Sequence, residues 1–154
     1  MNPTRLLVGL AAVAGSVLLA VPAYAATGQV DGNITVGDSS CSWTNATTSD
    51  APPNALTIDH TTVTPTCSGS ITASLTNDPA VTFDDTAGTA SAPEVDVNGT
   101  VLGVTCSYKV TDVSYSRQGT DRSYTGGPFT ANLTGGGFLC PSTETVSSAS
   151  LTFH

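Results

Sequence analysis

Apolar and polar positions alternate with a period of two along much of this chain beyond its first 25 residues. The clearest run places Leu102, Val104, Cys106, Tyr108 and Val110 on one side and Gly103, Thr105, Ser107, Lys109 and Thr111 on the other. Successive side chains of a strand point to opposite faces, so this run predicts a strand with one buried face. Ile71, Ala73 and Leu75 alternate in the same way. Val95-Asp96-Val97, Asn98-Gly99 and Val101 predict a hairpin turning at Asn98-Gly99, because Asn and Gly accept the positive φ of a two-residue turn. Weaker strands are expected over 30–36, 56–63, 81–83, 113–116, 123–125, 129–133 and 149–153. Turn clusters such as Asp50-Ala51-Pro52-Pro53-Asn54, Asn77-Asp78-Pro79 and Gly135-Gly136-Gly137 separate them. No amphipathic helix of useful length and no fixed-period repeat is visible. The pattern predicts an all-β chain, a single antiparallel β-sandwich of immunoglobulin-like or related type.

The start of the chain reads differently. Arg5 precedes an apolar run from Leu6 to Val21, Pro22 breaks it, and Ala23-Tyr24-Ala25 places small residues where a signal peptidase looks. Residues 1–25 are therefore expected to be a signal peptide for secretion. The run is short of the ~20 apolar residues of a membrane span. Beyond it, 26–40 is expected as an extended N-terminal segment and 41–154 as the sandwich domain.

Charge narrows the partners. Lys and Arg number 4 against 12 Asp and Glu, a net charge of −8. Removing the leader takes Arg5 with it and leaves −9. Too few cations remain to neutralise a run of phosphates, which argues against nucleic acid. Proteins or glycans are the partners left open.

The four cysteines, Cys41, Cys67, Cys106 and Cys140, all follow the leader. An even count in an exported chain predicts disulfides. Of three connectivities, Cys41–Cys67 with Cys106–Cys140 is favoured, because each bridge closes a moderate loop within one half of the chain. A zinc site needs closely spaced ligand pairs, and no Cys-x-x-Cys or Cys-x-x-His is present.

Candidate chemistry is sparse. The histidines are His60 and the terminal His154, and no Gly-x-Ser-x-Gly elbow accompanies them. Asp84-Asp85 and Glu94-x-Asp96 are carboxylate pairs in turn-rich segments, and Asp78, Asp84 and Asp85 are candidate calcium ligands. No catalytic residue, metal or cofactor is assigned from these. Trp43, two residues after Cys41, reads either as core packed against a disulfide or as a platform for a sugar ring.

Val104-Thr105-Cys106-Ser107-Tyr108, with Gly137-Phe138-Leu139-Cys140-Pro141-Ser142 and the final strand, resembles a group of small secreted actinobacterial proteins of unknown function. They carry a Cys-Ser-Tyr … Phe-Leu-Cys-Pro pattern, and the resemblance covers about the last third of the chain. It implies a compact exported β domain, pairing of Cys106 with Cys140, and no catalytic residues.

Residues 26–40 precede the first cysteine and contain Val30, Ile34 and Val36 among polar neighbours. A free segment of this kind adds a strand to a partner's sheet; the alternative is an ordinary first strand of its own sandwich. The functional expectation is a secreted, non-catalytic adaptor that docks to other secreted proteins in an extracellular assembly, with Val30, Ile34, Val36 and Trp43 as partner-binding residues. Connector subunits of secreted toxin particles offer an analogy of size and export. The alternatives are a secreted enzyme inhibitor, presenting a loop beside a disulfide, or a carbohydrate-binding module.

Overall fold

The computed structural model describes residues 27–154. The leader expected over 1–25 lies outside them. Eleven strands occur in the described residues: β1 Gln29–Val36, β2 Ser39–Thr47, β3 Leu56–Thr57, β4 Thr66–Cys67, β5 Ile71–Leu75, β6 Ala80–Asp84, β7 Thr89–Val101, β8 Val104–Arg117, β9 Ser123–Gly126, β10 Phe129–Gly135 and β11 Thr143–Phe153. Their composition explains them, since Thr, Val and aromatic side chains suit a half-buried pleated surface. The single helical turn is a 3₁₀ turn at His60–Thr62. No helix among the described residues is long and apolar enough to cross a membrane.

All pairings are antiparallel. One hydrogen-bonded path runs β3-β6-β7-β8-β10-β11-β1-β2-β4, with β5 added to β7 and β9 inserted between β8 and β11. A bridge from Thr48 to Ile58 joins the far end of β2 to the segment leaving β3, so the sheet folds over and nearly meets itself. The result is the expected all-β sandwich, stapled by Cys41–Cys67 and Cys106–Cys140. In the first staple, Cys41 and Cys67 lie directly opposite each other across β2 and β4.

The two ends of the sandwich differ. At one end Phe83 and Tyr124 each pack edge to face on Phe153 and tilt against each other, with ring centroids 5.2 to 6.0 Å apart, in one core cluster with Val30, Val81 and Leu151. Close aromatic packing of this kind excludes water and closes that end. The opposite end gathers the β1–β2 turn, the β7–β8 hairpin, the 136–142 loop between β10 and β11, and the short β4–β5 connection.

Two expectations change here. Asn98-Gly99 is not a turn; both residues lie inside β7, opposite Ser107 and Cys106. The chain reverses at Leu102-Gly103, between the paired Val101 and Val104. Nor do the described residues of 26–40 stand apart as a separate segment. Gln29–Val36 pairs with β11 on one side and β2 on the other, and Val30 is 0% exposed. Both edges of β1 are occupied, so no partner strand has a ladder to join there. The first strand and residues 41–154 form one sheet.

Candidate functional site

The inward faces of the long strands do not meet at the open end. Ile34 of β1, Ile71 of β5, Val97 of β7, Val104 of β8 and Val146 of β11 face one another around a cavity of about 510 Å³. That volume falls within the ~300–1,000 Å³ typical of small-molecule sites. Its wall is overwhelmingly apolar, and the strand face anticipated from Val104 to Val110 supplies one side of it. Several inward side chains, Ile34, Val95, Val97 and Val146 among them, pack against the core and yet remain partly accessible through the opening.

The rim is apolar too. Leu102 is 86% exposed and Phe138 96% exposed, with Val101 and Leu139 exposed beside them in sequence. Val101, Leu102 and Leu139 line the cavity mouth. Leu102 and Gly103 have φ of 50° and 81°, the pair of positive values that a mirror-image two-residue turn requires. A left-handed backbone costs a leucine roughly 1–2 kcal/mol, and Asn or Gly would meet the turn at less expense. Leu102 thus combines a left-handed backbone with a solvated side chain at the edge of an apolar cavity. The loop carrying Phe138 and Leu139 is anchored by the Cys106–Cys140 bridge and by Tyr108, whose hydroxyl donates to the Pro141 carbonyl at 3.2 Å. Burial pushes the Tyr108 phenol above its usual range, and the nearby Glu144 carboxylate adds to the effect.

Trp43 lines the same cavity and is 8% exposed. Its buried Nε1–H has no hydrogen-bond partner among the described residues. Of the two readings of Trp43, the interior one is what the structure displays. A sugar ring at the outer surface does not reach its face. Of the four residues expected to meet a partner, Val30 is sealed in the closed end, whereas Ile34, Val36 and Trp43 all reach the cavity.

The basic residues among those described, Lys109, Arg117 and Arg122, are all committed elsewhere. Lys109 Nζ lies 3.0 Å from Glu94 and 3.7 Å from Asp96, and Arg117 and Arg122 both pair with Asp85. Hydrogen bonding to Arg122 holds the Asp85 carboxyl below its ordinary range, while the Glu94 contact raises Lys109. Glu94 and Asp96 thus share one lysine, while the calcium candidates go separate ways. Asp84 accepts from the Ala87 amide, Asp85 serves two arginines, and Asp78 accepts from His60, so the three calcium candidates have three different partners.

His60 sits in the 3₁₀ turn with Nδ1 2.6 Å from Asp78 Oδ1, and Asp78 also accepts from the His60 amide. Asp59 caps the same turn by accepting from the Thr61 amide and hydroxyl. Ligand atoms of Asp59, His60 and Asp78 lie within 4.8 Å of one another. These contacts tie the turn to the segment before β6. His154 pairs with Asp31 at 3.2 Å, far along the chain from His60.

The lining residues Leu102 and Leu139, and the exposed Phe138 next to Leu139, were not singled out as a site by sequence pattern. A usable signal existed in Phe138-Leu139, two large apolar residues directly after three glycines, where a solvated loop has no packing use for them. None of the protein-family models matches this chain, and no match is found among curated proteins or solved structures.

Proposed function

We propose that this protein is an exported, non-catalytic binding protein that holds a small apolar molecule in the open end of its sandwich. The cavity carries the reading. Protein interiors are normally filled to a density of about 0.74, with few voids larger than water. A space of about 510 Å³ with an apolar wall, an open mouth and an apolar rim is a ligand site by shape and chemistry. Export is supported by the leader read in residues 1–25, by two disulfides, and by the resemblance of 104–108 and 137–142 to small secreted actinobacterial proteins.

Titration with N-phenyl-1-naphthylamine, an uncharged probe that fluoresces in apolar surroundings, tests this directly. One saturable site is expected in the native protein. Val97→Trp, which places bulk inside the cavity, is expected to remove it. Absence of saturable binding by the native protein overturns the reading.

A second reading, the adaptor, is favoured by Phe138, which is more exposed than any docking-free loop needs. In that case the rim meets another exported protein, in an extracellular assembly such as a toxin particle. Elution of the native protein from culture fluid within a large complex, and its release from that complex by Phe138→Ser, would select the adaptor.

A further inference from the structure

The next step rests on the apolar-ligand reading and narrows it. We infer that the molecule held in the open end carries one cationic group, an ammonium on an apolar body, and that the Glu144 carboxylate receives it.

The placement of Glu144 is the first observation. It lies one residue inside the start of β11 and pairs directly with Ala131 of β10, which in turn pairs with Val110 of β8. Residues directly opposite in antiparallel strands share a face. Ala131 and Val110 are buried in the core, so Glu144 belongs to the inward face. It is half-buried there, and among the described residues it is the one charged side chain lining the cavity. Its charge is felt inside the wall. Tyr108 is 7% exposed, and its phenol is raised by burial and then by the Glu144 carboxylate. Beyond Glu144 toward the closed end, Val146, Ala149 and Leu151 of β11 line the cavity with apolar surface alone. An apolar body lying along them brings its outer end to Glu144.

The second observation is the pairing of charges. Lys109 is held by Glu94 and Asp96, and Arg117 and Arg122 by Asp85, while His60 and His154 face Asp78 and Asp31. None of these five lines the cavity, and no described residue forms an ion pair with Glu144. A carboxylate half-buried against an apolar wall loses hydration that a cation restores. An ammonium group brings both the charge and three N–H donors, and charge-assisted hydrogen bonds are the strong ones. A ligand carboxylate or phosphate would meet a like charge with no cation to receive it. An uncharged head would leave Glu144 unpaired.

The test displaces N-phenyl-1-naphthylamine at neutral pH with three probes of equal chain length: nonylamine, 1-nonanol and nonanoate, each below its micelle concentration. We expect the amine to act at about fivefold to tenfold lower concentration than the alcohol, the size of one charge-assisted contact at a half-buried site. Nonanoate is expected to be weaker than the alcohol. Glu144→Gln is expected to bring the amine level with the alcohol. Asp121→Asn, which removes one charge from an exposed residue between β8 and β9, is expected to leave the order intact. The chain has two glutamates, Glu94 and Glu144, so carbon-13 at their side-chain carboxyls gives two NMR signals. The Glu144 signal is expected to move with the amine and not with the alcohol. An amine no better than the alcohol, a Glu144 signal unmoved by the amine, or equal losses in the two variants overturns the inference while the apolar-ligand reading stands. Absence of saturable naphthylamine binding overturns that reading itself. The native-protein measurements decide the matter even if Glu144→Gln does not fold.

Discussion

Gly32 and Trp43 face each other across the β1–β2 ladder, and the indole ring lies flat over the glycine, in the space where a side chain would sit. The pair sets the position of the ring that lines the cavity. A methyl group on Gly32 must displace either the indole or the strand. We therefore expect Gly32→Ala to lower stability by about 1–3 kcal/mol, the usual cost of overfilling a packed site. Equilibrium urea unfolding measures the loss. Fluorescence of the single tryptophan should shift to longer wavelength as the ring is pushed toward solvent. An unchanged midpoint and spectrum would show that the ring moves freely.

Leu102 illustrates a different balance. Its φ of 50° is strained and its side chain is solvated, so within this chain it contributes little to stability. Leu102→Asn creates Asn-Gly in a turn that favours that pair. A gain of about 0.5–1 kcal/mol in unfolding free energy is expected, together with weaker binding of the neutral naphthylamine probe. A variant that is more stable and binds equally well would remove Leu102 from the mouth's function.

How far the residues announced this arrangement depends on parity. The alternation from Val104 to Val110 was legible because the side chains keep a strict period of two. It was lost at Asp112, where φ is 53° and the inward set shifts from Tyr108 and Val110 to Val113 and Tyr115. One strand, β8, therefore read as two. β2 was missed for the same reason. Cys41 and Trp43 face inward, then an extra residue bulges near Asn45, at φ 56°, before Ala46 turns inward. The Asn45 amide donates to Asp31 at 2.7 Å, a partner supplied by β1 that no local pattern reveals. At Asn98-Gly99, good local turn chemistry was overridden by twelve paired positions between β7 and β8. The cavity was illegible in principle. Alternation says which side chains face inward, and says nothing about whether opposing walls touch.

Acid sensitivity follows from three carboxylates whose pKa values are depressed. Asn45 and His154 lower Asp31, His60 lowers Asp78, and Arg122 lowers Asp85. A depressed folded pKa stabilises the protein above the unfolded value near 3.8, and that stabilisation is lost as pH falls through the folded value. Thermal midpoints should stay level from neutral pH down to about 5 and decline below about 4. Removing the carboxyl charge with Asp85→Asn should shrink the decline. A midpoint that already falls between pH 7 and 6 would assign the acid sensitivity to groups other than these carboxylates.

At the other extreme, burial pushes the Tyr115 phenol up to about 12. A raised pKa has the opposite sign: its stabilisation is complete below the unfolded value near 10 and is lost as pH rises toward 12. By pH 11 the loss from this one group is on the order of 1 kcal/mol. Urea unfolding at pH 9 and pH 11 measures it. Tyr115→Phe, which keeps the ring against Phe129, should bring the two values together. Equal losses in both proteins would assign the alkaline transition to another group.

The two disulfides are expected to be similar in stability and different in function. They join cysteines separated by 26 and 34 residues, and loop entropy puts each at roughly 3–4 kcal/mol. Cys41–Cys67 staples two strands that are already paired. Cys106–Cys140 holds down the loop bearing Phe138 and Leu139, whose remaining ties include the Cys140 amide to Gly137 and the Leu133 amide to the Ser142 carbonyl. Replacing either pair by alanines should lower the unfolding free energy comparably. At temperatures where both variants are folded, loss of Cys106–Cys140 should weaken the neutral probe several-fold more than loss of Cys41–Cys67, because only the former frees the rim. Equal weakening in the two variants would mean that the loop's position is set by its own backbone contacts, and that the bridge serves stability alone.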